Sequence, residues 1–194
     1  MMATTTVRRA VVVALCASLA AACAARAPHS FYALSVVGTP AAVDAHDLSV
    51  AVGPVSLPAY LDRPQLVERN GEHEFVVSEQ HRWLEALDDG FARALAEDLG
   101  TRLGSARVTV FPSPTDRSPD YRVTVDVARF ELDRASGEVR LRARWSIDGH
   151  GGGAFASGTT AGATRAESVA ALSQLVGELA DTVAARVRTI ATAP

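Results

Sequence analysis

The chain has no lysine: all 19 of its basic residues are arginine, against 22 acidic ones, for a formal net charge of −3. That absence removes whole classes of chemistry. There is no Walker A lysine for a nucleotide phosphate, no Schiff-base amine and no lysine general base. Cysteine is nearly as scarce, with two residues, Cys16 and Cys23. The five histidines, His29, His46, His73, His81 and His150, are scattered, and no pair has the helical spacing of a metal site. Aromatic residues make up 6% of the chain, which is low for a cavity lined by large side chains. His150-Gly151-Gly152-Gly153 is similar to an esterase oxyanion motif, but no G-x-S-x-G elbow follows it, so it reads as a turn. Asp88 and Asp89 are neighbours that diverge around a helix and form no dyad. Nucleophile, base and oxyanion donor do not come together, and the chain reads as a non-enzyme without cofactor or metal. A mildly acidic chain without a basic cluster also reads as no nucleic-acid binder.

What is present begins with a targeting signal. Arg8 and Arg9 precede a short apolar run that ends in small residues. The run is too short to span a bilayer and suits a signal peptide over residues 1–22. Its end, Leu-Ala-Ala-Ala-Cys, resembles a bacterial lipobox, with Ala20 where leucine is usual. The expectation is cleavage before Cys23, lipid on that cysteine, a tether over 23–30 and a folded domain over 31–194. Plain secretion, with cleavage at Ala20 to Ala22, is the alternative. Ala24 after the cysteine, by resemblance to proteobacterial lipoproteins, implies the outer membrane.

The rest of the chain alternates strand and helix signals. Residues 31–37 read as a first strand and Leu48 onward as a second. Asn70-Gly71 marks a hairpin between the Leu66-Val67 and Phe75-Val77 runs. Leu84, Leu87, Phe91, Leu95, Leu99 and Leu103 give a helix over about 79–103, with Trp83 widening its apolar face and Gly104 stopping it. A short strand ends at Pro112. Tyr121, Val123, Val125 and Val127 share a strand face until the phase shifts near Ala128, which reads as a β-bulge. The return strand turns Val139, Leu141, Ala143, Trp145 and Ile147 inward and Arg140, Arg142 and Arg144 outward. Glu131 is expected opposite Arg140 and Asp126 near Arg144, as ordinary cross-strand partners. Thr164 and Glu167 form a capping box before a stripe from Val169 to Ile190 that reads as core packing. The fold class is α+β: a mostly antiparallel sheet with two main helices packed on one face.

One stretch stands apart, VGPVSLPAYLDRPQLVER. Pro54, Pro58 and Pro64 make it poor central-strand material, while its apolar residues argue against solvent filler. It reads as an edge or a surface that something else covers. Prolines preorganise such a segment and lower the ordering cost of binding. Tyrosine and arginine, here Tyr60 and Arg63, are enriched at interface hot spots.

This stretch, with Gly53-Pro54-Val55, the 57–64 motif, Arg82-Trp83 and the Phe31-Tyr32-Ala33-Leu34 start, resembles the ABC-type transport auxiliary lipoprotein family, the PqiC-like intermembrane-transport lipoproteins. The resemblance implies an outer-membrane lipoprotein on the periplasmic face, docking an MCE-domain tunnel protein of an ABC lipid transporter. A homo-oligomeric ring at the tunnel's end would fit. Leu57, Pro58, Tyr60, Leu61, Asp62, Arg63 and Pro64 are the candidate partner-binding residues, and Cys23 the lipidation site. Substituting Tyr60 and Arg63 is then expected to weaken partner binding without unfolding the domain. The alternative is a periplasmic carrier holding acyl chains in its own cavity.

Overall fold

The computed structural model describes residues 28–38, 48–113 and 118–193. The signal segment 1–22, Cys23, His46 and most of the loop after Gly38 lie outside the described residues. Among the described residues eight strands and two helices follow one another: β1 (Ser30–Tyr32), β2 (Val50–Ser56), β3 (Gln65–Asn70), β4 (Glu74–Trp83), α1 (Leu87–Leu103), β5 (Val108–Val110), β6 (Tyr121–Asp133), β7 (Glu138–Ile147), β8 (Gly151–Thr160) and α2 (Arg165–Ala191).

β6 is the spine of the sheet. β7 runs antiparallel along it and β8 antiparallel along β7, in two ladders of ten residue pairs each. The other side of β6 is shared. β2 pairs with its first half and β3 with its last two residues, both parallel. β5 lies parallel outside β2, while β4 and then β1 lie outside β3. The architecture is α+β as expected. The sheet is mixed, but its two longest ladders are antiparallel.

Both helices meet the sheet through apolar residues placed by their 3.6-residue period. Phe91, Leu95 and Leu99 of α1 and Leu175, Val176 and Leu179 of α2 are completely buried. Phe91 meets Phe130 of β6 edge to face at 5.3 Å, an arrangement worth about 0.5–1.5 kcal/mol beyond area burial. The expected capping box opens α2, with both the Thr164 and Glu167 bonds formed, and Gly104 ends α1 in the left-handed region at φ 65°. Among the described residues no helix is long and apolar enough to cross a membrane.

Four local expectations need correction. α1 starts at Leu87, not near 79, because residues 79–83 continue the β4 ladder. Trp83 is therefore buried at the end of a strand, and Leu84 points to solvent at 68% exposure. Secondly, the first strand stops at Tyr32. Beyond it the backbone lies as a strap held by helix side chains: Arg93 donates to Leu34 O, Val37 N–H to Asp98, and Ser35 N–H to Ser173. Thirdly, β2 is no edge, since β6 and β5 flank it. Its prolines stay out of the ladders. Pro54 falls where the β2–β6 register breaks between Val52 and Val55, and Pro58 and Pro64 lie past the strand's end.

The fourth concerns charge. The bulge falls between Val127 and Arg129, and the register is the expected one, Glu131 opposite Arg140 and Asp126 opposite Arg144. The ion pairs are not. Arg140 binds Glu138 on its own strand at 2.6 Å, Asp126 accepts from Ser56, and Glu131 turns toward β3.

Candidate docking site

The turn over residues 57–64 links β2 to β3, which pair with opposite ends of β6. Its entry is fixed by Gly53. At φ 130° this position suits glycine alone, and a β-carbon there would stand 3.1 Å from the Phe111 carbonyl oxygen. The Gly53-Pro54 bond is cis. Past β2, Leu57 and Pro58 are half-buried, and Leu57 packs on the core.

Three backbone bonds shape the turn itself. Leu61 N–H donates to Pro58 O at 2.8 Å, Arg63 N–H to Leu61 O at 2.8 Å, and Trp83 N–H to Pro64 O at 2.7 Å. The last ties the turn's exit to β4. Leu61 is buried. Asp62, Arg63 and Pro64 form an exposed tip.

Tyr60 faces inward. Its hydroxyl donates to Glu131 at 2.6 Å, and its ring packs on Phe75 with centroids 4.8 Å apart. The Glu131 side chain is wholly buried and also receives Arg69 Nε at 2.8 Å. Arg129 Nε stands at 2.8 Å as well, without an aligned N–H···O bond. The Arg69 guanidinium lies 4.3 Å over the Phe75 ring. A buried carboxylate thus has two cations and a phenol around it, the condition for holding a charge inside. Burial first, and then the Glu131 carboxylate, pushes the Tyr60 hydroxyl well above its ordinary value.

The seven candidate residues therefore separate. Tyr60 and Leu61 fasten the turn, Leu57 and Pro58 seat its base, and Asp62, Arg63 and Pro64 are presented outward. Sequence reasoning missed Glu131 and Arg69 as the base of the turn. They lie 71 and 62 residues from their partners in this network, and no local pattern announces such contacts.

A small cavity between sheet and helices, lined among others by Leu61, Trp83, Phe130 and Leu172, measures about 20 Å³. That is room for roughly one water. Among the described residues the larger hollows include open grooves, such as one of about 490 Å³ with Arg69, Glu72, Asp133 and Arg142 on its walls. Among the described residues no group of three or more His, Cys, Asp and Glu could hold a metal ion.

The model of a protein family described as the ABC-type transport auxiliary lipoprotein component matches residues 32–184. No curated protein matches the chain. Among solved structures, an uncharacterized protein superimposes with a TM-score of 0.69 at 19% identity, covering 83% of this chain and 99% of its own. A Xanthomonas campestris protein of family DUF330 superimposes with a TM-score of 0.67 at 20% identity, covering 84% and 100%. At that identity the likeness is one of fold.

Proposed function

Because the chain belongs to the ABC-type transport auxiliary lipoprotein family, we propose that it works as the outer-membrane docking subunit of an MCE-type ABC lipid transporter. In this reading Cys23 carries the lipid anchor, the domain stands on the periplasmic face, and phospholipid moves between the membranes through a partner tunnel. A ring of copies around the tunnel's end is compatible with it. The observation that carries the reading is the exposed Asp62-Arg63-Pro64 tip, set on a base fixed by Tyr60, Leu61 and the Pro64–Trp83 bond. A tip held rigid before it meets a partner loses little entropy on binding.

The carrier alternative needs an apolar hollow of about 300–1,000 Å³. Among the described residues the cavity between sheet and helices is about 20 Å³, which favours docking. A native mass spectrum of the 24–194 domain separates the two. A discrete oligomer without bound phospholipid supports the docking subunit. A monomer with stoichiometric phospholipid would make the protein a carrier. Co-purification of the tunnel protein with the Arg63→Glu chain tests the tip: retained capture at wild-type level would remove it from the interface. Radiolabelled palmitate should enter the wild-type chain and not Cys23→Ser.

A further inference from the structure

β8 closes one side of the sheet, and no described strand lies beyond it. Its ten residues hold neither proline nor charge. The other outermost strands, β1 and β5, have three residues each. A long, flat, uncharged edge accepts an extended chain unless something blunts or covers it.

The backbone of β8 can be read residue by residue. Ala161 N–H donates to Gly137 O at 2.8 Å. An antiparallel ladder alternates, so the odd-numbered residues of β8 bond β7. Gly152, Ala154, Ala156, Gly158 and Thr160 then turn their N–H and C=O groups outward.

These residues also lie beside the arginine row. Ala154 is opposite Arg144, Ala156 opposite Arg142 and Gly158 opposite Arg140. Arg142 and Arg144 are exposed. Between the arginines and the edge there are only methyl groups or hydrogen. The Arg140 stem lies over that row, since a β-carbon at Gly158 would stand 3.2 Å from its Cγ. A strand added to β8 would run two spacings, about 10 Å, from the arginine strand. A glutamate on it and an arginine on β7, each reaching over small residues, can close that gap. Larger residues at 154, 156 and 158 would stand between them. On the opposite face Ser157 donates to Glu178 of α2 at 2.6 Å, and Phe155 is half-buried. That face repels acid and suits apolar residues.

We propose that β8 is a docking edge for an extended segment of a partner protein in which acidic and apolar residues alternate. Main-chain bonds to β8 would give affinity, and the arginine row would select the sequence and register. A second copy of this chain fits less well, because β8 against β8 brings no carboxylate to the arginines. β7 and β8 are not part of the 57–64 turn, and the β8 edge is open whatever that turn binds.

The test is fluorescence anisotropy with the full chain and a labelled peptide of alternating valine and glutamate, as long as β8. The control peptide replaces glutamate by lysine. Saturable binding of the acidic peptide is expected, with affinity at least about tenfold lower in Ala156→Pro and in Arg142→Glu/Arg144→Glu. Ala156→Pro removes one outward donor and no ladder bond. Should that variant lose its melting transition, Ala156→Glu reads the same edge. Equal binding of the two peptides, no binding of the acidic one, or binding indifferent to the edge variants would overturn the proposal. So would self-association of the wild-type chain that disappears in the edge variant.

Discussion

Replacing Tyr60 by phenylalanine removes one oxygen from the base of the 57–64 turn and leaves the ring on Phe75. The lost bond runs 2.6 Å to the buried Glu131 carboxylate. Hydrogen bonds to charged groups contribute about 1.5–3 kcal/mol. Tyr60 is half-buried, and Arg69 still holds the carboxylate, so the contribution falls around the lower end of that range, about 1–2 kcal/mol. For a chain of this size that lowers Tm by about 2–8 °C. Urea unfolding followed by tryptophan fluorescence reads the change, because Trp83 and Trp145 are both buried. The slope should stay constant while the midpoint falls. Glu131→Gln should cost more, about 3–5 kcal/mol, because it leaves Arg69 and Arg129 facing a neutral group. In the double variant the Tyr60 effect should nearly vanish. A Tyr60→Phe loss below about 0.5 kcal/mol would show that the Tyr60–Glu131 bond does not fasten the turn. Unchanged stability with lost partner capture would move Tyr60 into the interface, as the sequence alone had led us to expect.

Further outcomes follow from the same contacts. Tyr60 binds its proton more tightly when folded, so its contribution is complete below the free tyrosine value near 10 and is lost as pH rises past it. Alkaline unfolding monitored by circular dichroism should therefore begin later in Tyr60→Phe than in the wild type, once both are normalised to neutral pH. Thr164→Ala removes the cap that receives Glu167 N–H and should cost about 1 kcal/mol in urea unfolding. The Glu167 carboxyl is held below its usual range, chiefly by the Thr164 backbone N–H. Its stabilisation is present above the ordinary carboxyl range and is lost as pH falls through its lowered value, so acid melts should show the α2 N-terminus loosening first. Gly53→Ala forces a side chain into a left-handed position against Phe111 O and should cost about 1–3 kcal/mol by thermal melting. Asp98→Ala breaks a buried pair with Arg102 and frees the Val37 amide, so that amide should lose hydrogen-exchange protection while the Leu95 amide keeps its own.

Much of this was legible in short-range patterns. The 3.6-residue spacing of α2, its capping box, the Asn70-Gly71 turn and the bulge beside Ala128 all depend on residues close in sequence. The β6–β7 register could be counted outward from the turn at Gly137. What failed was long-range or ambiguous. Glu79 to Arg82 carry helix-forming side chains, yet continue a ladder because β3 is there to pair. Tertiary contact overrides propensity in such places. Three prolines argued for an edge, but the first sits at a register break and the others in a turn, so β2 keeps both its neighbours. In the candidate site, the motif residues could be named from sequence and their directions could not. Which side of the turn faces inward is decided by Glu131, 71 residues from Tyr60.

The strap beyond β1 has a mechanical consequence. Residues 34–37 are fastened to both helices through Arg93, Asp98 and Ser173 rather than zipped into the sheet. A pull applied from the amino-terminal side meets β1 and the Tyr32–Leu84 bond first, and then these fastenings one after another. Each release lengthens the lead to the domain while the β6–β7 and β7–β8 ladders and the Phe91–Phe130 contact stay whole. Letting go of residues 31–38 would add about 26–29 Å of extended chain. Residues 31–38 are thus a length of chain laid against the helices that a pull can draw out before the core gives way.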